Sequence, residues 1–110
     1  MKASELKDKL NLKLCCGKDG LEKELSGCYI GDLLSLAMAR LTKGNIWITI
    51  QTNINTIAVS SLTEAGCIIL AEGLTPDENA QKKADAESIP VFSSDKSAYE
   101  IATQLCALGI

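Results

Sequence analysis

Three short apolar runs constrain the fold of this chain more than any other feature of its sequence. They read IWITI at residues 46–50, CIIL at residues 67–70 and IPVF at residues 89–92. The first run is apolar on both faces, which is typical of a strand covered by helices on each side. Apolar residues at helical spacing fill the segments between the runs. Strands that alternate with helices predict βαβ units, a largely parallel sheet and right-handed crossovers.

The N-terminal part of the chain predicts two further strands. Residues 12–16 alternate in period two, and residues 25–30 form a second candidate strand. The Asp19-Gly20 dipeptide between them is a strong hairpin signal. At 110 residues the chain has the length of one domain. We therefore expect a single domain over residues 1–110, built on a mostly parallel sheet of five strands with helices on both sides.

Polar residues suited to capping mark the predicted helix starts. Asp32 and Asn53 each follow a predicted strand and are good caps. Residues 75–78, TPDE, combine a Thr cap, a Pro in the first turn and a Glu positioned for a capping box. Residues 97–100 repeat the capping box before the last helix.

The composition excludes several classes of partner. The net charge is −3, no long run of like charges occurs, and aromatic residues make up only 4% of the chain. Nucleic-acid binders normally present a basic face with stacking aromatics, so nucleic acid is not an expected partner. The N-terminus MKASELKDKLNLK lacks the apolar centre of a signal peptide, and no apolar run has the length of a membrane span. We expect a cytoplasmic protein without a membrane partner.

The sequence contains no histidine, which removes Ser-His-Asp and Cys-His catalysis and every His-ligated metal site. The five cysteines form no C-x-x-C pair, and Cys15 and Cys16 would point to opposite faces of a strand. Neither phosphate-binding pattern, G-x-x-x-x-G-K-[ST] or G-x-G-x-x-G, is present. We therefore expect no metal, no cofactor and no catalytic residues.

The carboxyl ends of the predicted strands are the expected place for a ligand, because loops and helix N-termini converge there in parallel sheets. The helix dipoles at that edge favour an anion. Helix capping alone explains most of these polar residues. Gln51 is the exception and the best single candidate, since a residue before a cap needs no amide. The candidate ligand-binding residues are Asp32, Gln51, Thr52, Asn53, Thr75, Ser93, Ser94 and Asp95.

Three stretches, taken in order, carry a resemblance to a known family: SGCYIGDLLSLAMA, GNIWITIQTNINTIAVSSLTEAGCIILAEGLTPDE and IPVFSSDKSAYEIATQL. Together they resemble the DRTGG domain family and, by extension, the N-terminal domain of HPr kinase/phosphorylase. The string DRTGG itself is absent, and AEGLTPDE stands at the equivalent strand end. The resemblance implies a three-layer α/β/α domain. It does not imply kinase activity, because the P-loop of that enzyme lies in a separate domain.

Relatives in that family occur as regulatory inserts or extensions and tend to mediate self-association and control. Our first hypothesis is therefore a non-enzymatic regulatory module that binds a partner protein and forms a homodimer, with residues 16–26 as a candidate dimer surface. The alternative is a sensor that binds a small anionic metabolite or a nucleotide at the strand ends. A hydrolase or transferase is the weakest hypothesis, since it would need a carboxylate–metal site that the sequence does not mark.

Overall fold

The computed structural model describes residues 1–110 and contains five helices and five strands. A single 3₁₀ turn, Lys18–Gly20, adds to these elements. In chain order they are α1 (Ala3–Lys9), β1 (Lys13–Cys16), β2 (Cys28–Ile30), α2 (Leu34–Arg40), β3 (Ile46–Thr49), α3 (Ile54–Leu62), β4 (Cys67–Leu70), α4 (Glu78–Ala86), β5 (Val91–Ser93) and α5 (Ala98–Ala107). None of the helices has both the length and the apolar character that crossing a membrane requires.

All five strands belong to one sheet in the order β1-β5-β4-β3-β2. The pairs β2–β3, β3–β4 and β4–β5 are parallel, and only β1 runs antiparallel to its neighbour β5. The predicted mostly parallel five-stranded sheet is therefore confirmed. Because the four parallel strands point the same way, the loops that follow them meet at one edge of the sheet.

Helices cover both faces of the sheet, so the fold has the three layers expected of it. On one face α1 and α5 bury Leu6 and Ile101 against Ile48 and Phe92. On the other face α2, α3 and α4 pack against Trp47 and the remaining sheet side chains. The two central strands β3 and β4 are buried at every position, because both of their faces lie under helices.

The predicted hairpin at Asp19-Gly20 is wrong. Strands β1 and β2 lie at opposite edges of the sheet, and β1 instead pairs with β5 through Lys13–Ser93 and Leu14–Phe92. The segment between β1 and β2 packs on the chain itself: Gly20 is buried, and the Gly17 N–H donates to Asp85 Oδ1 at 2.7 Å. The local turn signal at Asp19-Gly20 does not decide how β1 pairs. Long-range pairing with β5 prevails, because β5 has a free edge next to the buried core.

The helix starts agree with the prediction at α3 and α5 and differ at α4. Asn53 caps α3, and Ser97 with Glu100 forms the capping box of α5. Helix α4 is capped by Asp77, whose side chain accepts from the Ala80 N–H at 3.0 Å, and not by Thr75. The helix begins after the proline, because Asp77 is a stronger cap placed nearer the first helical residue.

Candidate functional site

The candidate site is the edge where the carboxyl ends of β2, β3, β4 and β5 meet, and we refer to it as the rim. Its loops cover residues 31–33, 50–53, 71–77 and 94–97. All eight predicted candidate residues lie in or directly beside these loops. Parallel pairing thus places Gln51, after β3, and Ser93, at the end of β5, at the same end of the molecule.

Asp32 does not cap α2, contrary to the prediction from sequence. The helix begins after Leu33, which makes no side-chain capping bond. Asp32 Oδ1 instead accepts two hydrogen bonds, from Thr49 Oγ1 at 2.9 Å and from the Ile50 N–H at 3.1 Å. The carboxylate therefore joins the ends of β2 and β3 and holds that side of the rim.

Gln51, the best candidate from sequence, also has partners within the chain. Its Nε2 donates to the Asp32 backbone oxygen at 3.1 Å, and its Oε1 accepts from Asn53 Nδ2 at 3.4 Å. Asn53 Oδ1 in turn accepts from the Asn55 N–H at 2.9 Å as the cap of α3. The amide of Gln51 thus has a structural use that the sequence did not reveal, which is to tie the β3 loop to the β2 loop.

The other half of the rim is formed by the loops after β4 and β5. Ser93 Oγ donates to the Leu74 oxygen at 2.6 Å, and the Gly73 N–H donates to the Ser94 oxygen at 2.7 Å. The two halves are joined where the Asp77 N–H donates to the Thr52 oxygen at 3.0 Å. These backbone and side-chain bonds make the rim one continuous hydrogen-bonded surface.

Three of the predicted candidates remain available to a ligand. The hydroxyls of Thr52 and Thr75 and the carboxylate of Asp95 make no hydrogen bond within the chain. The rim also carries more acidic than basic side chains, which opposes the attraction of the helix dipoles for an anion. Its charged residues are Asp32, Glu72, Asp77, Asp95 and Lys96.

Two cavities lie away from the rim, and the sequence analysis predicted neither. One, of about 340 Å³, is at the opposite end of the sheet and is lined by Lys23, Lys43, Ser60 and Glu64 among others. The other, of about 310 Å³, lies beside β1 and is lined by Cys15, Cys16 and Asp85 among others. Residues from elements that are distant in the sequence form these walls, so no local pattern in the sequence marks them.

The most apolar part of the exposed surface surrounds strand β2. Nine large apolar side chains are exposed in the molecule, and six of them fall between residues 30 and 54. Strand β2 is an edge of the sheet with no neighbour on its outer side. We define the β2-edge surface as strand β2 together with the exposed side chains of Leu33, Leu36 and Met38, which are 64%, 44% and 41% exposed. Edge strands with apolar surroundings are typical sites of chain association.

The thiols of Cys16 and Cys28 are held in their protonated form. Burial raises the pKa of Cys16 to about 12, with a further rise from the nearby Asp85 carboxylate. Cys28 lies on the exposed edge strand, yet the protein around it still desolvates its thiol and raises its pKa to about 11, with a smaller contribution from Cys106. Since the thiolate is the nucleophile, these two cysteines are poorly reactive at neutral pH. No group of three or more Cys, Asp and Glu side chains is placed to hold a metal ion.

The fold and the rim together define a small three-layer α/β/α domain whose loops gather at one edge of a parallel sheet. The chain belongs to the DRTGG domain family, whose model matches residues 5–108. The family resemblance noted in the sequence is therefore confirmed. No curated protein sequence matches this chain.

The fold assignment is supported by similarity to a solved structure. The crystal structure of the CBS and DRTGG domains of the regulatory region of Clostridium perfringens pyrophosphatase, complexed with the activator diadenosine tetraphosphate, is similar to this chain with a TM-score of 0.74. The sequence identity is 12%, and the match covers 94% of this chain and 45% of that chain. This chain therefore spans less than half the length of its structural neighbour, and the similarity is one of fold.

Proposed function

We propose that this protein is a non-enzymatic regulatory module that self-associates as a homodimer and controls a partner protein. The observation that carries the proposal is the β2-edge surface, which combines an unpaired strand with exposed apolar side chains. From residue 27 to residue 39 the chain carries only one charge, on Asp32, although 23% of all its residues are charged. Interface cores are depleted in charge in this way.

The expected absence of catalysis is part of the same proposal. The sequence has no histidine to act as a general acid or base. Desolvation by the surrounding protein keeps the thiols of Cys16 and Cys28 protonated, with pKa values of about 12 and 11. We expect no turnover of phosphate esters or nucleotides when Mg²⁺ or Mn²⁺ is added. Measurable turnover that survives repurification would overturn this part of the proposal.

Light scattering tests self-association directly. We expect a mass of twice 11.7 kDa at high protein concentration. Leu33→Glu, at a position 64% exposed in the β2-edge surface, places a charge in the proposed interface and is expected to weaken dimerisation at least about tenfold. Leu62→Glu makes the same change at a position 73% exposed outside that surface and serves as the matched control. A monomer at about 1 mM that also captures no partner protein would refute the proposal.

The second candidate function is the sensing of a small ligand at the rim. Two observations favour it. The hydroxyls of Thr52 and Thr75 lie at the strand ends and make no hydrogen bond within the chain. The structurally similar pyrophosphatase region binds an activator nucleotide. Acidic side chains outnumber basic ones at the rim, where Lys96 is the basic residue. A phosphate-bearing ligand is therefore expected to bind together with a divalent cation.

Titration calorimetry separates the two functions. Diadenosine tetraphosphate, simpler nucleotides and inorganic phosphate are each titrated with and without Mg²⁺. If the rim binds one of them, Thr75→Val should weaken binding, whereas Thr103→Val on α5, far from the strand ends, should not. No heat from any ligand in the panel argues against the sensor and leaves self-association as the function.

A further inference from the structure

We infer that a second copy of this chain adds to the sheet at strand β2 in antiparallel orientation, with Cys28 of one copy opposite Ile30 of the other. The inference rests on the self-association proposed above and assigns it a surface and a register. Two five-stranded sheets then continue into one sheet across a two-fold axis. Such an interface is isologous, because each copy contributes the same strand.

The hydrogen bonds between β2 and β3 fix which backbone groups of β2 face outward. The Gly27 oxygen accepts from the Ile46 N–H at 3.0 Å, and the Gly31 N–H donates to the Ile48 oxygen at 3.2 Å. In a parallel pair every second residue of a strand bonds its neighbour. Gly27, Tyr29 and Gly31 therefore bond β3, and Cys28 and Ile30 direct their N–H and C=O groups away from the sheet.

The outward N–H and C=O groups of one β2 strand can pair with those of β2 in a second copy in one antiparallel register. Antiparallel strands alternate between pairs that exchange two hydrogen bonds and pairs that exchange none. When Cys28 lies opposite Ile30 of the second copy, both residues use their outward groups and Tyr29 lies on the two-fold axis. All three residues of β2 are then paired and four hydrogen bonds form. A register centred on Cys28 or on Ile30 would leave part of the strand unpaired.

The charges near β2 are compatible with the same register. Asp32 is the one charged residue between residues 27 and 39, and its Oδ1 is already bonded to Thr49 and Ile50. If the register continues, Asp32 lies opposite Ser26 of the second copy, so no like charges face each other. The net charge of −3 gives a weak overall repulsion between two copies, to which the uncharged strand β2 adds nothing. An uncharged, self-complementary edge favours a second copy of this chain as the occupant.

Disulfide trapping tests the register. Ile30→Cys places two thiols opposite each other across the proposed pair, within the Cα separation that a disulfide accepts. Oxidation with copper phenanthroline at pH 9 is expected to give a covalent dimer on a non-reducing gel. Adding Cys28→Ser removes the opposing thiol and should abolish the product, and Leu62→Cys is the control for non-specific crosslinking at an exposed position.

A second variant tests the hydrogen bonds of the proposed interface without a crosslinking reaction. Ile30→Pro removes an outward N–H and leaves the hydrogen bonds between β2 and β3 intact. Dimerisation measured by light scattering should therefore weaken at least tenfold. The emission of Trp47 should still report a folded domain. A dimer that Ile30→Pro does not weaken and Ile30→Cys does not trap overturns this interface and leaves self-association standing. A wild-type chain that crosslinks through Cys28 alone overturns the register. A monomer at about 1 mM refutes self-association and this interface together.

Discussion

Asp32 offers the sharpest test of how the rim is held together, and the perturbation is Asp32→Ala. The carboxylate accepts hydrogen bonds from Thr49 Oγ1 at 2.9 Å and from the Ile50 N–H at 3.1 Å. Each intramolecular hydrogen bond contributes about 0.5–1.5 kcal/mol net. Thr49 is only 2% exposed, so its hydroxyl proton would be left without a partner, which adds to the loss. Because Asp32 itself is exposed, we expect a total loss of about 2–3 kcal/mol in the free energy of unfolding.

Urea unfolding followed by tryptophan fluorescence measures this loss. Trp47 is the only tryptophan, is fully buried, and donates from Nε1 to the Gly31 oxygen at 3.0 Å, next to Asp32. With a typical slope for a domain of this size, the midpoint should fall by about 1–2 M urea.

Two further variants separate the causes. Asp32→Asn keeps the Oδ1 acceptor that both donors share, so it should lose about 1 kcal/mol or less. Asp95→Ala removes an exposed carboxylate of the same rim that makes no hydrogen bond, and should change stability by no more than about 0.5 kcal/mol. If Asp32→Ala proved as mild as Asp95→Ala, the role assigned to Asp32 would be refuted.

Three other predictions concern the backbone and the thiols. Gly17→Ala would place a Cβ 1.7 Å from the Ile89 oxygen, at φ +77°, so it should destabilise far more than Gly73→Ala, which has φ +72° but open space and should lose about 1 kcal/mol in urea unfolding. Since the pKa of Cys28 is about 11, its alkylation by iodoacetamide should accelerate about tenfold per pH unit from pH 8 to 10, and a plateau near pH 9 would contradict this. Burial also raises the pKa of Cys67, so the folded state holds this proton more tightly than the unfolded state does. Its contribution to stability is complete below about pH 8.5 and should decline by about 1.4 kcal/mol per pH unit above it. Cys67→Ala should reduce the overall slope by that amount and leave the part that comes from Cys16 and Cys28.

The predictions from sequence that succeeded concern local interactions. The strand at CIIL, residues 67–70, was predicted with its observed bounds, since four consecutive buried apolar residues leave no other element that fits. The caps at Asn53 and Ser97 were also predicted, because each bonds a backbone N–H only two or three residues away.

The shared edge at which the candidate residues lie was predicted, but their hydrogen bonds within the chain were not. The topology of a parallel sheet brought Gln51, Asn53 and Ser93 to one rim as expected. The sequence did not reveal that the Gln51 amide bonds the Asp32 backbone, because those residues are 19 apart and the contact exists only once β2 lies beside β3. For the same reason Asp32 looked like a helix cap.

What the sequence by itself determined is therefore the set of elements, the mostly parallel sheet and the edge at which the polar loops gather, since hydrophobic period and capping act over a few residues. Only the tertiary structure decided that β1 pairs with β5 instead of forming the predicted hairpin with β2. It also decided that Asp32 bonds β3 and that β2 is an open, apolar edge of the sheet. Each of these depends on which strands become neighbours. That choice is made by long-range burial, which no short stretch of sequence encodes.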